Sequence, residues 1–296
     1  MHAKIILIGE HAVVYHKKAI VCPVFDANVQ VQLAPHDQYY IESDFYKGLL
    51  KDAPTSFESI KNLIDTLATT FNVNPIKINI HNHIPVAAGM GASAAIAGAI
   101  VQAFFQYHLE TLSEQTLIEW IQRSETIAHG NPSGIDMYGV LSNHALIFQR
   151  NIDVTPLTFQ MDGYLLITFS NEHGSTKEAV TRVSKYFADN EHVLDDMEES
   201  ILKAIQAIQH KHIDALGHEF NTYHHYLKQI GVSTPRLDAM VHDALSFGAV
   251  GAKLSGGGLG GCMIALFKNQ SQMHQLKEHY KKQGYQQQFI IDLKRI

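Results

Sequence analysis

The chain has 296 residues, of which 46% are hydrophobic and 18% charged, and its formal net charge is −6. This composition is typical of a globular protein with one large domain or two average ones, and the negative charge argues against nucleic acid as a partner. No apolar run approaches the roughly 18 residues that span a bilayer, and no cationic segment precedes an apolar stretch at the N-terminus, so neither membrane insertion nor secretion is expected. The two cysteines, Cys22 and Cys262, lie far apart, which favours a reducing cytoplasm over a disulfide framework.

The chain opens on a short apolar strand, Lys4–Ile8, which ends at Gly9 and is followed by Glu10 and His11 in a turn. A lysine inside an apolar strand is costly to bury without a partner, so we expect a carboxylate beside Lys4. The next stretch, Ala19–Leu33, is rich in β-branched residues and predicts extended structure. Further on, Ser56–Phe71 has the apolar spacing of a helix, and Ile76–Ile80 alternates like a half-buried strand.

A turn with two glycines, Gly89 and Gly91, precedes a run of small apolar residues. Glycine tolerates positive φ and has no Cβ, so several backbone N–H groups can approach an anion there. The Ala-rich segment Ala94–Tyr107 predicts a helix whose positive N-terminal end points at the same place. With the Ser93 hydroxyl in reach of a metal ion, the turn predicts a phosphate-binding cradle. The alternative is an ordinary loop before a buried helix.

Two carboxylates, Glu125 and Asp136, flank a Gly-Asn-Pro-Ser-Gly turn. Glu125 falls in a predicted helix, Ser113–His129, whose first residue is a good N-cap. Phosphoryl transfer needs one acid to hold Mg²⁺ and another to orient or deprotonate the acceptor. Two acids beside a turn are also commonplace, so the pair by itself leaves both interpretations open.

The segment Asn151–Pro156 is interpreted as the connection between the two halves of the chain. The remaining pattern places helices between strands and ends in an antiparallel hairpin, which predicts an α+β fold rather than a parallel doubly wound sheet. The predicted strands are Tyr164–Phe169, Val250–Leu254, Met263–Phe267 and Gln287–Asp292, and the predicted helices are Thr176–Phe187, Glu198–Gln209, Asp214–Ile230, Pro235–Phe247 and Ser271–Gln283.

A second glycine cluster lies between the two strands of that hairpin. Gly256, Gly258 and Gly261 match the G-x-G-x-x-G pattern of dinucleotide-binding folds. That pattern requires a helix to begin within it, whereas Cys262–Phe267 reads as a strand, so the context argues against a dinucleotide site. We expect a glycine-rich hairpin connection that packs closely against another backbone or a ligand.

Four segments in this order resemble the motifs of the GHMP kinase superfamily and, among its families, the compact bacterial mevalonate kinases. Lys4–Tyr15 resembles the first motif, and Pro85–Ala95 resembles the ATP-binding pattern Pro-x3-Gly-Leu-Gly-Ser-Ser-Ala. Glu125–Asp136 resembles the Glu…Gly-x-Pro-Ser-Gly-x-Asp segment, and Lys253–Cys262 resembles the glycine-rich third motif. The likeness spans nearly the whole chain.

The resemblance implies an α+β fold of two domains, with ATP and substrate in the cleft between them. An N-terminal ribosomal-S5-like, ATP-binding domain is expected over 1–152, and a C-terminal ferredoxin-like domain over 153–296. The implied reaction is the ATP-dependent phosphorylation of the C5 hydroxyl of mevalonate, with Mg²⁺ as cofactor, in the cytoplasm. Nucleic acid and membrane are not expected partners, and a homodimer is left open.

The resemblance also implies a role for each matching residue. Asp136 is expected to be the general base, with Lys4 beside it to stabilise charge on the transferred phosphoryl group. Ser93 and Glu125 are expected to bind Mg²⁺. The residues expected to bind the ATP phosphates are Pro85, Ala88, Gly89, Met90, Gly91, Ala92, Ser93 and Ala94, and those expected to bind the acceptor are Glu10, His11, Thr176, Ser255 and Gly256.

Two departures from the family pattern stand out. Ala92 replaces the first serine of the Ser-Ser pair, so the contact of that hydroxyl is missing while the backbone donor remains. Ser170–Glu172 stands where relatives often carry Asp-Thr-Gly.

Two other functions are weighed: another small-molecule kinase of the superfamily, such as a phosphomevalonate or homoserine kinase, and a catalytically silent regulatory relative. A phosphorylated acceptor calls for more cationic side chains than Lys4, Lys177 and Lys253 supply, and the intact motif residues argue against a silent protein.

Overall fold

The computed structural model describes residues 1–130 and 132–296, with the backbone alone of Thr176. The strands and helices are numbered here in chain order. The strands are β1 (His2–Ile8), β2 (Lys18–Pro35), β3 (Tyr40–Glu42), β4 (Lys47–Leu49), β5 (Ile76–Asn82), β6 (Ala145–Gln149), β7 (Asp153–Leu157), β8 (Tyr164–Phe169), β9 (Gly251–Ser255), β10 (Cys262–Phe267) and β11 (Gln288–Asp292). The helices are α1 (Glu58–Thr70), α2 (Ala92–Tyr107), α3 (Glu114–His129), α4 (Ile135–Leu141), α5 (Thr176–Asp189), α6 (His192–Gln209), α7 (Ile213–Gln229), α8 (Pro235–Ser246) and α9 (Gln270–Lys282).

The chain forms two compact units, and each is built from several separate segments. Unit 1 contains Met1–Ala3, Ala27–Ile84 and Gly91–Leu141, and unit 2 contains Lys4–Asp26, Pro85–Met90 and Ser142–Ile296. Residues Lys4–Asp26 and the turn Pro85–Met90 are therefore packed mainly with the C-terminal half. The two continuous domains expected over 1–152 and 153–296 remain a prediction.

In unit 1, strand β5 pairs antiparallel with the second half of β2, and Val29 lies opposite Asn82. Strand β3 runs parallel to β5 and forms a hairpin with β4. Helix α2 packs against α1, α3 and α4, and eight of its sixteen residues are buried. A helix that is apolar on nearly every side belongs in the interior, so α2 is the central helix of this unit.

In unit 2, an antiparallel sheet has the strand order β11-β8-β10-β9. The chain passes through it as strand, helices, hairpin, helix, strand, and the order 4-1-3-2 is that of a ferredoxin-like domain. Helices α7 and α8 pack on β9, and α8 and α9 pack on β10. All six residues of β10 are consequently buried. Elsewhere in this unit, β6 pairs with the first half of β2 and with β7.

Most of the elements expected from the sequence are confirmed, with boundary shifts of a few residues. Ser113 is the N-cap of α3, where its hydroxyl accepts from the Thr116 N–H at 3.0 Å, and Pro235 begins α8. One boundary is clearly wrong, because α6 begins at His192, six residues before the predicted start. No helix in the described part of the chain is long and apolar enough to cross a membrane.

Most of Asn151–Pro156, the segment interpreted as the connection between the two halves, belongs to strand β7. That it connects the two halves remains a prediction. The residues of β7 are largely exposed, and among the strands of the described residues it pairs with β6 alone. An edge strand tolerates proline and polar side chains, since one side of its backbone faces no other strand. Such a strand has the composition of a loop. The short elements β3, β4, β6 and α4 were likewise not predicted.

Candidate active site

The glycine turn begins at Pro85 and leads directly into helix α2. Three of its residues have positive φ: Ala87 at 56°, Gly89 at 76° and Gly91 at 73°. Helix α2 starts at Ala92, two residues before the predicted start, so Ser93 lies in its first turn. The first N–H groups of a helix have no partner within the helix, and the helix dipole is positive at this end. The turn and helix therefore have the backbone features of a phosphate site.

Lys4 is tied to this turn by two hydrogen bonds. Its Nζ donates to the carbonyl of Gly89 at 2.8 Å, and its backbone N–H donates to the carbonyl of Met90 at 3.1 Å. The side chain is buried within strand β1. Lys4 thus places its charge against the backbone of the predicted ATP loop. The pairing of Lys4 with Asp136 remains a prediction.

The two glycine-rich segments pack backbone against backbone in unit 2. A Cβ on Gly89 would lie 3.2 Å from Cα of Gly256, and a Cβ on Gly261 would lie 3.1 Å from the carbonyl oxygen of Ala88. Segment 256–261 joins β9 to β10, so it is a hairpin connection, and a strand follows it. The expected close packing is confirmed, and the strand context excludes a dinucleotide-binding helix. A side chain at Gly89 would force the two segments apart.

Glu10 lies at the end of β1 and forms an ion pair with Lys253 of β9. Both side chains are almost completely buried, and Lys253 Nζ also donates to the carbonyl of Leu254 at 2.7 Å. Burial raises the pKa of Glu10, and the charge of Lys253 together with backbone N–H groups opposes that rise. Burial lowers the pKa of Lys253, and Glu10 opposes that shift. Among the described residues, Oε2 of Glu10 accepts no hydrogen bond of normal geometry.

His11 follows Glu10 and is also buried. Its Nε2 donates to the carbonyl of Gly257 at 3.0 Å. Burial lowers the pKa of His11 to about 4, and the nearby charge of Lys253 acts in the same direction. The ring is therefore neutral near pH 7 with its proton on Nε2. The structure thus joins the first motif to the third in unit 2.

The remaining predicted acceptor residues have mixed outcomes. Ser255 is buried, and its hydroxyl donates to the carbonyl of Ile6 at 2.7 Å. Gly256 has a φ of 87° and lies against Gly89, as described above. The side chain of Thr176 lies outside the described part of the structure. The roles of these residues toward an acceptor remain predictions.

The two predicted acids and Ser93 belong to unit 1. Glu125 is buried on α3, and its carboxylate lies 3.8 Å from Nε2 of His129. Asp136 is half-buried in the first turn of α4. Ser93 is half-buried on α2, the helix against which α3 and α4 pack. The structure therefore places all three side chains on mutually packed helices of one unit, and a carboxylate and a hydroxyl offer the oxygen ligands that Mg²⁺ prefers.

Lys253 and Tyr223 were not expected as site residues from the sequence. Tyr223, on α7, donates its hydroxyl proton to the carbonyl of Glu10 at 2.9 Å, and Lys253 Nζ lies 5.6 Å from the centre of the Tyr223 ring. Lys253 is the first residue of the third motif, and that position could have identified it as a site residue. Tyr223 gave none, because a tyrosine on an amphipathic helix is usually a core residue.

The departure at Ser170–Glu172 has a local structural explanation. The carboxylate of Glu172 accepts from the Thr234 hydroxyl at 2.8 Å and lies 3.3 Å from Nε of Arg236. Its carbonyl accepts from the N–H of Gly261 at 2.7 Å. Glu172 therefore joins the start of α8 to the third motif.

Family models and known proteins identify the family of this chain. The model for the GHMP kinases N terminal domain matches residues 58–143, and the model for the GHMP kinases C terminal domain matches 204–286. A mevalonate kinase from Pyrococcus horikoshii is 30% identical, over 89% of this chain and 86% of its own length. The crystal structure of mevalonate kinase from methicillin-resistant Staphylococcus aureus is 30% identical with a TM-score of 0.76, and it covers 99% of this chain and 97% of its own. The mevalonate kinase of L. major, solved in complex with R-mevalonate, has a TM-score of 0.81 at 24% identity over 98% and 94% of the two chains.

The chain therefore belongs to the GHMP kinase family of ATP-dependent small-molecule kinases, and it has the two-domain α+β fold of that family. The relatives described above are, within this family, mevalonate kinases.

Proposed function

We propose that this enzyme transfers the γ-phosphoryl group of ATP to the C5 hydroxyl of mevalonate. The observation that carries the choice of acceptor is the 30% identity to a mevalonate kinase over nearly the full length of both chains. The residues proposed to carry the reaction, Lys4, Ser93, Glu125 and Asp136, are all present.

In the proposed mechanism, the backbone of the glycine turn and the start of α2 bind the ATP phosphates. Lys4, held against the carbonyl of Gly89, adds positive charge to that loop and stabilises the negative charge that develops on the transferred group. Asp136 accepts the proton of the acceptor hydroxyl as its oxygen forms the new bond to the γ-phosphorus, while the bond from that phosphorus to the β–γ bridging oxygen breaks and ADP leaves. An alcohol is a poor nucleophile, so positioning and charge neutralisation account for most of the lowering of the barrier.

Mg²⁺ is the proposed cofactor, and the donor set fits it. The carboxylate of Glu125 and the hydroxyl of Ser93 are oxygen ligands, and Glu125 is a buried acid for which a cation is a favourable neighbour. When bound with ATP, the ion neutralises phosphate charge. The protein's part is to hold Glu125 rigidly on α3 and Ser93 on the adjoining α2.

Glu10 and His11 are the proposed acceptor-binding pair. Because the His11 ring is neutral, it offers no positive charge, and its Nδ1 is left as a hydrogen-bond acceptor while Nε2 serves Gly257. Oε2 of Glu10 is placed to accept a hydrogen bond from an acceptor hydroxyl in the same way. Both groups thus suit a polyhydroxy acceptor better than an additional phosphate group.

The test is an ADP-release assay on the purified protein with Mg·ATP and, in parallel, mevalonate, phosphomevalonate, homoserine and galactose. Turnover with mevalonate is expected, and the Asp136→Ala variant measures background ATP hydrolysis. Turnover with another acceptor alone would overturn the choice of substrate and keep the class of reaction. ATP binding without turnover of any acceptor would favour a silent regulatory protein.

A further inference from the structure

His11 has a strained backbone. Its φ is 63° and its ψ is −47°, and the N–H of Ala12 donates to the carbonyl of Glu10 at 2.7 Å. These values describe a γ-turn of the rare, strained kind, centred on a residue other than glycine. A conformation of this kind persists only where surrounding contacts over-determine it.

Two side chains from distant parts of the sequence hold Glu10, the first residue of that turn. Lys253 binds the Glu10 carboxylate, and the Tyr223 hydroxyl donates to the Glu10 carbonyl, the same oxygen that closes the γ-turn. The Tyr223 ring also lies beside the Lys253 ammonium group. Glu10 is thus fixed at both its side chain and its backbone, and the ring of His11 is fixed by the carbonyl of Gly257.

Stability alone does not explain the buried charge of Lys253. A fully buried ion pair loses the hydration of both ions, and well-packed apolar residues of similar volume often serve stability as well or better. The pair does, however, give Glu10 one orientation. It does so next to His11, whose strained backbone would otherwise relax.

We propose that Lys253 is a positioning residue, which acts with Tyr223 to hold the Glu10–His11 turn in the strained conformation that the acceptor alcohol requires. The inference rests on the proposed function for the assignment of Glu10 and His11 to the acceptor. It assigns neither Lys253 nor Tyr223 a contact with substrate.

The experiment compares Lys253→Met and Tyr223→Phe with a control, Lys268→Met, which removes an exposed lysine paired with Asp214 in the same unit. Lys253→Met is expected to raise the KM for mevalonate about tenfold or more and to leave the KM for ATP within about twofold. Tyr223→Phe keeps the ion pair and loses one hydrogen bond, so it is expected to raise the KM for mevalonate about threefold. Lys268→Met is expected to change neither constant.

A second readout does not depend on turnover. In wild-type protein without substrates at pH 7, ¹⁵N NMR of the histidine rings is expected to show His11, assigned with His11→Gln, as neutral with the proton on Nε2. The His11 signals are expected to shift in both Lys253→Met and Tyr223→Phe. A wild-type enzyme that does not phosphorylate mevalonate would overturn the proposed function, and the NMR comparison would still test the positioning.

Unchanged His11 signals in folded Lys253→Met would overturn the inference. So would equal increases in the KM for mevalonate and for ATP that follow the loss of melting temperature, since that result describes a structural ion pair. If Lys253→Met does not fold, the same criteria apply to Tyr223→Phe, which keeps both buried charges.

Discussion

Glu10 and Asp136 are two motif carboxylates in very different surroundings. Glu10 is almost completely buried, paired with Lys253 and fixed through its backbone by Tyr223. Asp136 is half-buried in the first turn of a seven-residue helix. A carboxylate held by a buried lysine is suited to fixing a conformation, whereas a proton acceptor must remain accessible to the acceptor hydroxyl. In the proposed function, Glu10 orients the acceptor and Asp136 accepts its proton, so the two carboxylates differ in role as they do in burial.

The largest expected effect tests the proposed role of Asp136 as the general base. Asp136→Ala is expected to lower kcat about a thousandfold, because a general base contributes about 10²–10⁴-fold to such reactions. ATP binding is expected to stay within about twofold of wild type, since the lost interaction is made in the transition state. Steady-state kinetics and calorimetric titration with a non-hydrolysable ATP analogue measure the two quantities. Near-normal turnover would remove Asp136 from its proposed role.

Gly89→Ala tests the close packing of the two glycine-rich segments, with Gly284→Ala as its matched control. Both glycines have positive φ, 76° and 94°, but the added Cβ meets Gly256 at 3.2 Å in one case and nothing within 4 Å in the other. The control is expected to lose about 1–2 kcal/mol of unfolding free energy from backbone strain alone. Gly89→Ala is expected to lose a further 1–3 kcal/mol or so through overpacking and to bind ATP more weakly. Urea denaturation of both variants checks this, and equal losses would show that the glycine segments yield at little cost.

The buried histidines predict how stability depends on pH. Burial lowers the pKa values of His11 and His224 from 6.5 to about 4 in the folded protein. Between pH 6.5 and pH 4 the two rings are protonated in the unfolded chain and neutral in the folded chain. Their contribution to the free energy of unfolding is therefore fully present above pH 6.5 and is lost as the pH falls toward 4. Each histidine is expected to contribute a loss of about 3 kcal/mol over that range.

Unfolding free energies at pH 7.5, 6 and 5 measure this dependence. His224→Gln is expected to remove its share of the loss, while the exposed control His274→Gln leaves the dependence unchanged. A pH profile that is the same in His224→Gln and in wild type would contradict the assignment of the loss to buried neutral rings.

The smallest expected effect concerns Ser93. Ser93→Ala is expected to raise the KM for Mg·ATP about tenfold, the loss of one metal ligand, and to leave the KM for mevalonate within about twofold. Titration of activity against Mg²⁺ at fixed ATP is the measurement. Ser246→Ala, which removes a hydroxyl bonded to the carbonyl of His242 at the end of α8, is the control. An unchanged Mg²⁺ dependence in Ser93→Ala would show that the hydroxyl is not a ligand.

The sequence by itself determined the main elements, the α+β class and the family. Long periodic segments such as α1, α3 and β8 were predictable because their apolar spacing is local and repeated. The glycine turn was predictable for a related reason, since positive φ at Gly89 and Gly91 is a property that those residues carry with them. Strand β7 and the hairpin of β3 and β4 were missed, because short exposed strands are stabilised by their neighbours and have the composition of loops.

Only the tertiary structure decided the surroundings of Glu10 and His11. Lys253 is 243 residues from Glu10, and the sequence offered Lys4 as the lysine that needs a carboxylate. Local propensity does not favour a γ-turn at a histidine. The turn is held by three residues that β9, α7 and the third motif bring to it, namely Lys253, Tyr223 and Gly257. Local patterns specify conformations that are favourable in isolation, whereas a strained turn and a buried ion pair depend on long-range contacts that form when the chain folds.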